Sequence, residues 1–239
     1  MLNKARHQLI MKQILEGIYK DVSLASCLGF KGGTAAWLFY GLPRFSVDLD
    51  FDLLTDDPDG SISEQVRDKI KAIMAGLGAV KKADIKRYTI FLLLSYGDAD
   101  HNVKVEISRR RPPFLTGDYF EFKDHLGISI RAATPAYIFA AKLAALTTRR
   151  EFAARDMFDI HYFAKNRWDV DQEVLKYYVG KSLKEYLPAC IKFVEKINDN
   201  EILAGLGELL NDKKQKAWVK NNLRQETAFL LKNYLSALE

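Results

Sequence analysis

Residues 47–53 read V-D-L-D-F-D-L. Side chains on an extended strand alternate between its two faces, so one strand carries Asp48, Asp50 and Asp52 on one side and Val47, Leu49, Phe51 and Leu53 on the other. A helix would scatter both sets. The run therefore predicts a strand over 45–53 whose apolar face lines a core and whose acidic face meets something cationic. Three adjacent carboxylates repel one another unless a cation sits among them.

A second stretch, N-V-K-V-E-I-S at 102–108, alternates in the same way. Val103, Val105 and Ile107 face one side, and Lys104, Glu106 and Ser108 the other. If the two strands are neighbours in one sheet, Asp48, Asp50 and Glu106 converge. Three hard oxygen donors suit Mg²⁺, which keeps waters and phosphate oxygens in its shell. Two such ions can clamp a nucleotide's phosphates and activate an attacking hydroxyl. Upstream, Gly32-Gly33-Thr34 opens a short apolar stretch that ends at Gly41 and Pro43. Paired glycines let backbone N–H groups approach a phosphate, and the start of the following helix favours an anion. Either motif alone is weak; their pairing within twenty residues points to nucleotide chemistry.

The rest of the chain divides near residue 133. Before it, a helix is predicted over 3–19 with Leu9, Met11, Ile14, Leu15 and Ile18 as its apolar stripe. Another helix runs from Ser61 to about Leu77, opened by a Ser61/Glu64 capping box. The D-rich segment before it is not a calcium loop, because the twelfth position, where a Glu is needed, is Val66. Strands are expected in K-R-Y-T-I-F-L-L-L-S-Y and N-V-K-V-E-I-S-R-R-R, joined as a hairpin through G-D-A-D-H, and a shorter one in I-S-I-R-A-A. From Thr134-Pro135, an N-cap followed by Pro at the first helical position, only helical periodicity follows. The predicted helices cover about 135–149, 151–166, 170–179, 182–197, 200–212 and 214–238. The reading is α+β, with an α+β catalytic domain over 1–133 and an all-helical domain over 134–239 that closes the nucleotide cleft.

Composition adds boundaries. The net charge of +5 leans toward anionic partners. Cys27 and Cys190 are the only cysteines and do not form a metal-ligand pattern, which suits a reducing compartment. The first twenty residues lack the apolar core of a secretory signal, and no run is long enough to span a bilayer. The expectation is a cytoplasmic protein with no membrane partner. The four histidines share no spacing, and none is assigned to metal or catalysis. Arg109, Arg110 and Arg111 read as a solvated edge, with an RNA contact as the second reading.

The run K-G-G-T-A-A-W-L-F-Y-G-L-P-R-F-S-V-D-L-D-F-D-L resembles the signature of the AbiEii/AbiGii-type nucleotidyltransferase toxins, within the DNA polymerase β-like superfamily. The later K-L-A-A-L-T-T-R-R-E-F-A-A-R-D-M-F-D-I is similar to a second block of that family. Ala36, where Leu is usual, is a mild departure. The resemblance implies a mixed-sheet polymerase β-like domain and an NTP substrate. It implies metal binding by Asp48, Asp50 and Glu106, with two Mg²⁺ ions. Lys142 and Asp159 join those three as catalytic residues, and either Asp156 or Asp159 completes the last motif. Nucleotide contacts are implied for Lys31, Gly32, Gly33, Thr34, Arg44, Ser46, Lys142, Arg149 and Asp156. A cognate antitoxin from the same operon and transfer to RNA, tRNA in particular, are implied as well. Without the family, Lys142, beside an apolar helix face, either snorkels to solvent or meets an anion in a cleft, Arg44 binds phosphate or pairs with an aspartate, and Arg155, Asp156 and Asp159 read as a surface ion-pair ladder. Rival functions are nucleotidylation of a small molecule or a protein, and an inactive binding module with the same fold.

Overall fold

The computed structural model describes residues 3–97, 102–110, 112, 117–125 and 127–238. They form two compact units: residues 1–39 with 46–133, and residues 40–45 with 134–239.

The first unit is built on a seven-stranded sheet in the order β3-β4-β5-β2-β1-β7-β6. Its strands are β1 (Leu28–Lys31), β2 (Asp48–Leu53), β3 (Ala79–Lys86), β4 (Thr89–Ser95), β5 (Asn102–Ser108), β6 (Phe120–His125) and β7 (Ile128–Ala133). Its helices are α1 (Lys4–Lys20), α2 (Val22–Cys27), α3 (Gly32–Phe39) and α4 (Ser61–Ala75). The pairs β2–β5 and β1–β7 are parallel and the others antiparallel, so the sheet is mixed. Leu49, Phe51, Val103, Val105 and Ile107 are fully buried, together with Ile14 and Ile18 of α1 and Ile70 and Met74 of α4. The apolar faces predicted for the two acidic strands thus lie in one core. Leu9, assigned to the α1 stripe, is instead 56% exposed; the buried stripe runs through Ile10, Met11, Ile14, Leu15 and Ile18.

Three local expectations in this unit are corrected. Strand β2 begins at Asp48 rather than at residue 45. The Ser61/Glu64 capping box does not form. Gly60, at φ +81°, is the N-cap without a side-chain bond, and the Asp57 carboxylate accepts from the Ile62 and Ser63 N–H groups. Strands β3 and β6, at the two edges, and the short buried β1 were not anticipated. Most of the linker 97–101 and Arg111 lie outside the described residues. Arg109 donates to the Lys86 carbonyl and Asp57, and Arg110 lies over the Tyr88 ring.

The second unit holds α5 (Pro135–Thr148), α6 (Ala154–Lys165), α7 (Gln172–Val179), α8 (Leu183–Lys196) and α9 (Lys213–Ser236). Thr134 caps α5 as expected, accepting from the Tyr137 N–H. The helix predicted over 200–212 is absent. That stretch is a series of turns, in which N–H groups reach carbonyls three residues back, as from Ala204 to Glu201 and Leu209 to Leu206. Gly205, at φ +64°, interrupts any helical run. The segment 40–45 is tied into this unit by backbone and side chain: the Phe45 N–H donates to the Leu209 carbonyl, and Gln215 donates to the Pro43 carbonyl.

Candidate active site

Strands β2 and β5 run parallel with Asp48 opposite Lys104 and Asp50 opposite Glu106. The alternation of both strands places these four side chains on one face, in a two-by-two block. Lys104 Nζ lies 3.1 Å from Asp48 Oδ2 and 3.2 Å from Glu106 Oε2. Burial pushes the Lys104 pKa down, but the charges of Asp48, Glu106 and Asp50 outweigh it and the net shift is upward. On the other flank, β1 sets Lys31 opposite Asp50, and its ammonium pairs with Asp52 Oδ1 at 2.5 Å. The Asp52 side chain has no exposed surface. Each neighbouring strand therefore supplies one lysine to the aspartate row, at opposite ends of it. The sequence reading gave no role to Lys104. Its signal was its place two residues before Glu106 on an alternating strand.

The glycine turn abuts this row. Gly32 has φ +79°, and a Cβ there would stand 2.6 Å from Asp50 Oδ2. Both the backbone conformation and the proximity of the carboxylate demand glycine at this position. Gly32→Ala is expected to cost about 1–2 kcal/mol from the left-handed backbone alone, and to push the Asp50 carboxylate aside. Chemical denaturation checks the first effect and loss of nucleotidyl transfer the second. Thr34 is buried in α3, and its hydroxyl is directed at Ser46 Oγ, 2.8 Å away, and at the Asp48 carbonyl. On the strand side, His7 Nε2 lies 2.9 Å from the Val47 carbonyl and so donates to it. The backbone entering β2 is thus held from both α3 and α1.

The helical unit collects the remaining predicted residues. Asp159 receives a two-pronged ion pair from Arg44, with Nε–Oδ1 and Nη2–Oδ2 both at 2.6 Å. Lys142 Nζ stands 2.7 Å from Asp156 Oδ1 and 2.9 Å from Asp159 Oδ2. Arg149 Nε lies 2.8 Å from Asp156 Oδ2, a close ion pair without hydrogen-bond geometry. Three cations and two carboxylates alternate, leaving one net positive charge. Burial alone would raise the Asp159 pKa, yet Arg44 and Lys142 bring it below the ordinary carboxylate value. Burial would lower that of Lys142, yet Asp156 and Asp159 raise it. The Asp159 and Asp156 carboxylates are inside the unit, not on an exposed ladder. Arg149 is the most exposed member, at 43%.

Among the described residues, no three carboxylate, histidine or cysteine side chains stand together as a ready metal cage. The donor chemistry nevertheless fits a hard divalent cation. Asp48, Asp50 and Glu106 share one face at adjoining register positions, and the block of four carries a net charge of −2 even with Lys104 drawn into it.

The sequence model of one family, the nucleotidyl transferase AbiEii toxin of type IV toxin–antitoxin systems, matches residues 13–236. The chain belongs to the AbiEii toxin family. It is a nucleotidyltransferase of that family, which implies an NTP substrate and a cognate antitoxin. Solved structures share the fold over the whole chain. A Helicobacter pylori protein described as a nucleotidyltransferase superposes with a TM-score of 0.60 at 21% identity, covering 100% of this chain and 99% of its own. JHP933 of H. pylori gives 0.57 at 21%, covering 100% and 97%. The nucleotidyltransferase toxin MenT4 of Mycobacterium tuberculosis gives 0.54 at 17%, covering 100% and 95%. A comparison with curated proteins gives no match. The AbiEii fold is the α+β arrangement expected from the alternating strands, with a mixed sheet followed by helices. No described helix is long and apolar enough to cross a membrane.

Proposed function

We propose that this AbiEii-family enzyme transfers a nucleoside monophosphate from an NTP to the terminal hydroxyl of an RNA, most simply a tRNA 3′ end. The observation that carries the proposal is the register of β2 and β5, which sets Asp48 and Asp50 beside Glu106 on one face. Asp48, Asp50 and Glu106 would hold Mg²⁺; when bound, the metal neutralises phosphate charge and lowers the pKa of a coordinated hydroxyl. Glu106, whose side chain is 37% exposed, is within reach of an incoming acceptor and takes the proton of its hydroxyl. The acceptor oxygen then attacks the α-phosphorus, the bond to the bridging oxygen breaks, and pyrophosphate leaves. The backbone of Gly32-Gly33-Thr34 lies beside Asp50 and offers N–H groups to phosphate oxygens. In the helical unit, Lys142 and Arg149 present the surplus positive charge of their network to an anion, and Arg44, Asp156 and Asp159 position them.

The RNA acceptor rests on the +5 net charge, which favours an anionic partner. A 3′ terminus is unpaired, so its hydroxyl reaches a recessed site without melting a helix. Binding through phosphates weakens steeply with salt, because each contact releases counterions. The test is incubation with total RNA and labelled NTPs, with and without periodate oxidation of the RNA. Label entering RNA only when the terminal diol is intact supports the proposal. Label in protein or in a small molecule, with RNA untouched, overturns the acceptor.

A further inference from the structure

A lysine that the catalytic scheme does not use stands against the paired carboxylates. We propose that Lys104 is a built-in counter-cation: its ammonium bridges Asp48 and Glu106 in the metal-free enzyme and is displaced when a divalent ion binds there. The inference rests on the metal role proposed above for Asp48, Asp50 and Glu106.

The sheet explains why a cation is needed before metal arrives. Parallel register puts Asp50 directly opposite Glu106, and Asp48 lies two residues before Asp50 on the same face. Like charges facing each other across strands destabilise a sheet. Lys104 is the residue whose register position, opposite Asp48, and whose place two before Glu106 let one side chain reach both carboxylates. Asp52, the remaining aspartate of the row, is served from the other side by Lys31. The division puts Lys104 on the flank of Asp48 and Glu106.

The same geometry makes the ammonium a competitor. Its contacts at 3.1 and 3.2 Å are to two of the carboxylates that would hold an ion. A divalent ion held by those carboxylates and an ammonium beside it would repel at close range. Lys104 can yield, because its stem is flexible and its side chain is 27% exposed, with water on one side. Lys31, at 18% and paired with a fully buried carboxylate, has less freedom. Metal binding thus exchanges one cation for another. The sheet stays electrostatically tolerable without metal, and metal affinity is held below what three carboxylates alone would give.

The experiment compares wild-type protein with Lys104→Met and Lys104→Arg after stripping with chelator. Melting temperature is read in chelator and in saturating Mg²⁺, and Mn²⁺ affinity by calorimetry and by the electron paramagnetic resonance of free ion. Lys104→Met is expected to melt below wild type in chelator and to recover most of the difference in metal. It should bind Mn²⁺ about tenfold more tightly. Lys104→Arg, which keeps the charge, should follow wild type in chelator and bind Mn²⁺ no more tightly. Equal or weaker Mn²⁺ binding by Lys104→Met overturns the exchange while leaving the metal role standing. Absence of Mn²⁺ binding by wild type and both variants overturns the metal role and the exchange with it. If Lys104→Met does not fold, Lys104→Gln, with its amide able to bond the same oxygens, replaces it under the same criteria.

Discussion

Asp50→Asn enzyme is expected to transfer nucleotides at least about a hundredfold more slowly than wild type, while melting in chelator at the same temperature or higher. The two effects have one cause. Asp50 stands opposite Glu106 and two residues from Asp48, so its charge adds repulsion within the block that its attraction to Lys104 offsets only in part. An amide of the same shape keeps the packing against Gly32, removes the repulsion and forfeits a metal ligand. Asp48→Asn is expected to lose activity to the same extent but to differ in stability. Its carboxylate is a partner of Lys104, and that partly exposed pair contributes up to about 1 kcal/mol. In chelator, Asp48→Asn should therefore melt slightly below Asp50→Asn. A stability gain accompanied by loss of function marks a site built against its own stability. The measurements are pyrophosphate release with Mg²⁺ and all four NTPs, and thermal melts with and without chelator. Normal turnover by either variant removes that aspartate from the catalytic set.

The parts of this site that were legible in the sequence are those that one strand or one turn writes by itself. Alternation in β2 and β5 gave the faces of Asp48, Asp50 and Glu106, because period two is a property of a single strand. The glycine turn was visible, but its tightest constraint was not. That constraint, Gly32 against Asp50, exists only once β1 pairs with β2. Lysines were the hardest to place. On an isolated strand Lys104 reads as a solvent-facing residue, and the register of a parallel pair is needed to set it against Asp48. Strand β3 escaped notice because it is an edge with charged, largely exposed side chains and a bulge between Val80 and Lys82. The run 200–212 had helical spacing of apolar residues, and Ile202, Leu206, Leu209 and Leu210 are indeed buried, but successive turns bury them as well as a helix would. Pattern reports which residues go inside more reliably than which backbone takes them there.

The Arg44–Asp159 pair was beyond any pattern, since its partners are 115 residues apart. Its removal is expected to destabilise the helical unit strongly. Arg44 is 2% exposed and Asp159 fully buried, and the guanidinium meets both carboxylate oxygens. Arg44→Ala leaves a buried carboxylate with only Lys142 to compensate it, and breaking such a pair from one side costs about 3–5 kcal/mol. Arg44→Lys should recover only part of this, because one ammonium cannot span both oxygens. Replacing both partners, as in Arg44→Met with Asp159→Leu, should cost less than Arg44→Ala, since no charge is stranded. The effect has a pH signature. The Asp159 pKa is lowered in the folded protein, so its stabilisation is complete above the unfolded value of about 4 and fades as pH falls through the lower folded value. The Lys142 pKa is raised, so its stabilisation holds below about 10.4 and is lost only as pH rises through the higher folded value. Between those limits the network is constant, and the gap between wild type and Arg44→Ala should be flat through neutral pH and narrow in acid. Urea unfolding followed by tryptophan fluorescence reads it, with Trp168 and Trp218 both reporting from the helical unit. A gap below about 1 kcal/mol at neutral pH, or one that widens in acid, would show that Arg44 and Asp159 are not the pair on which this unit depends.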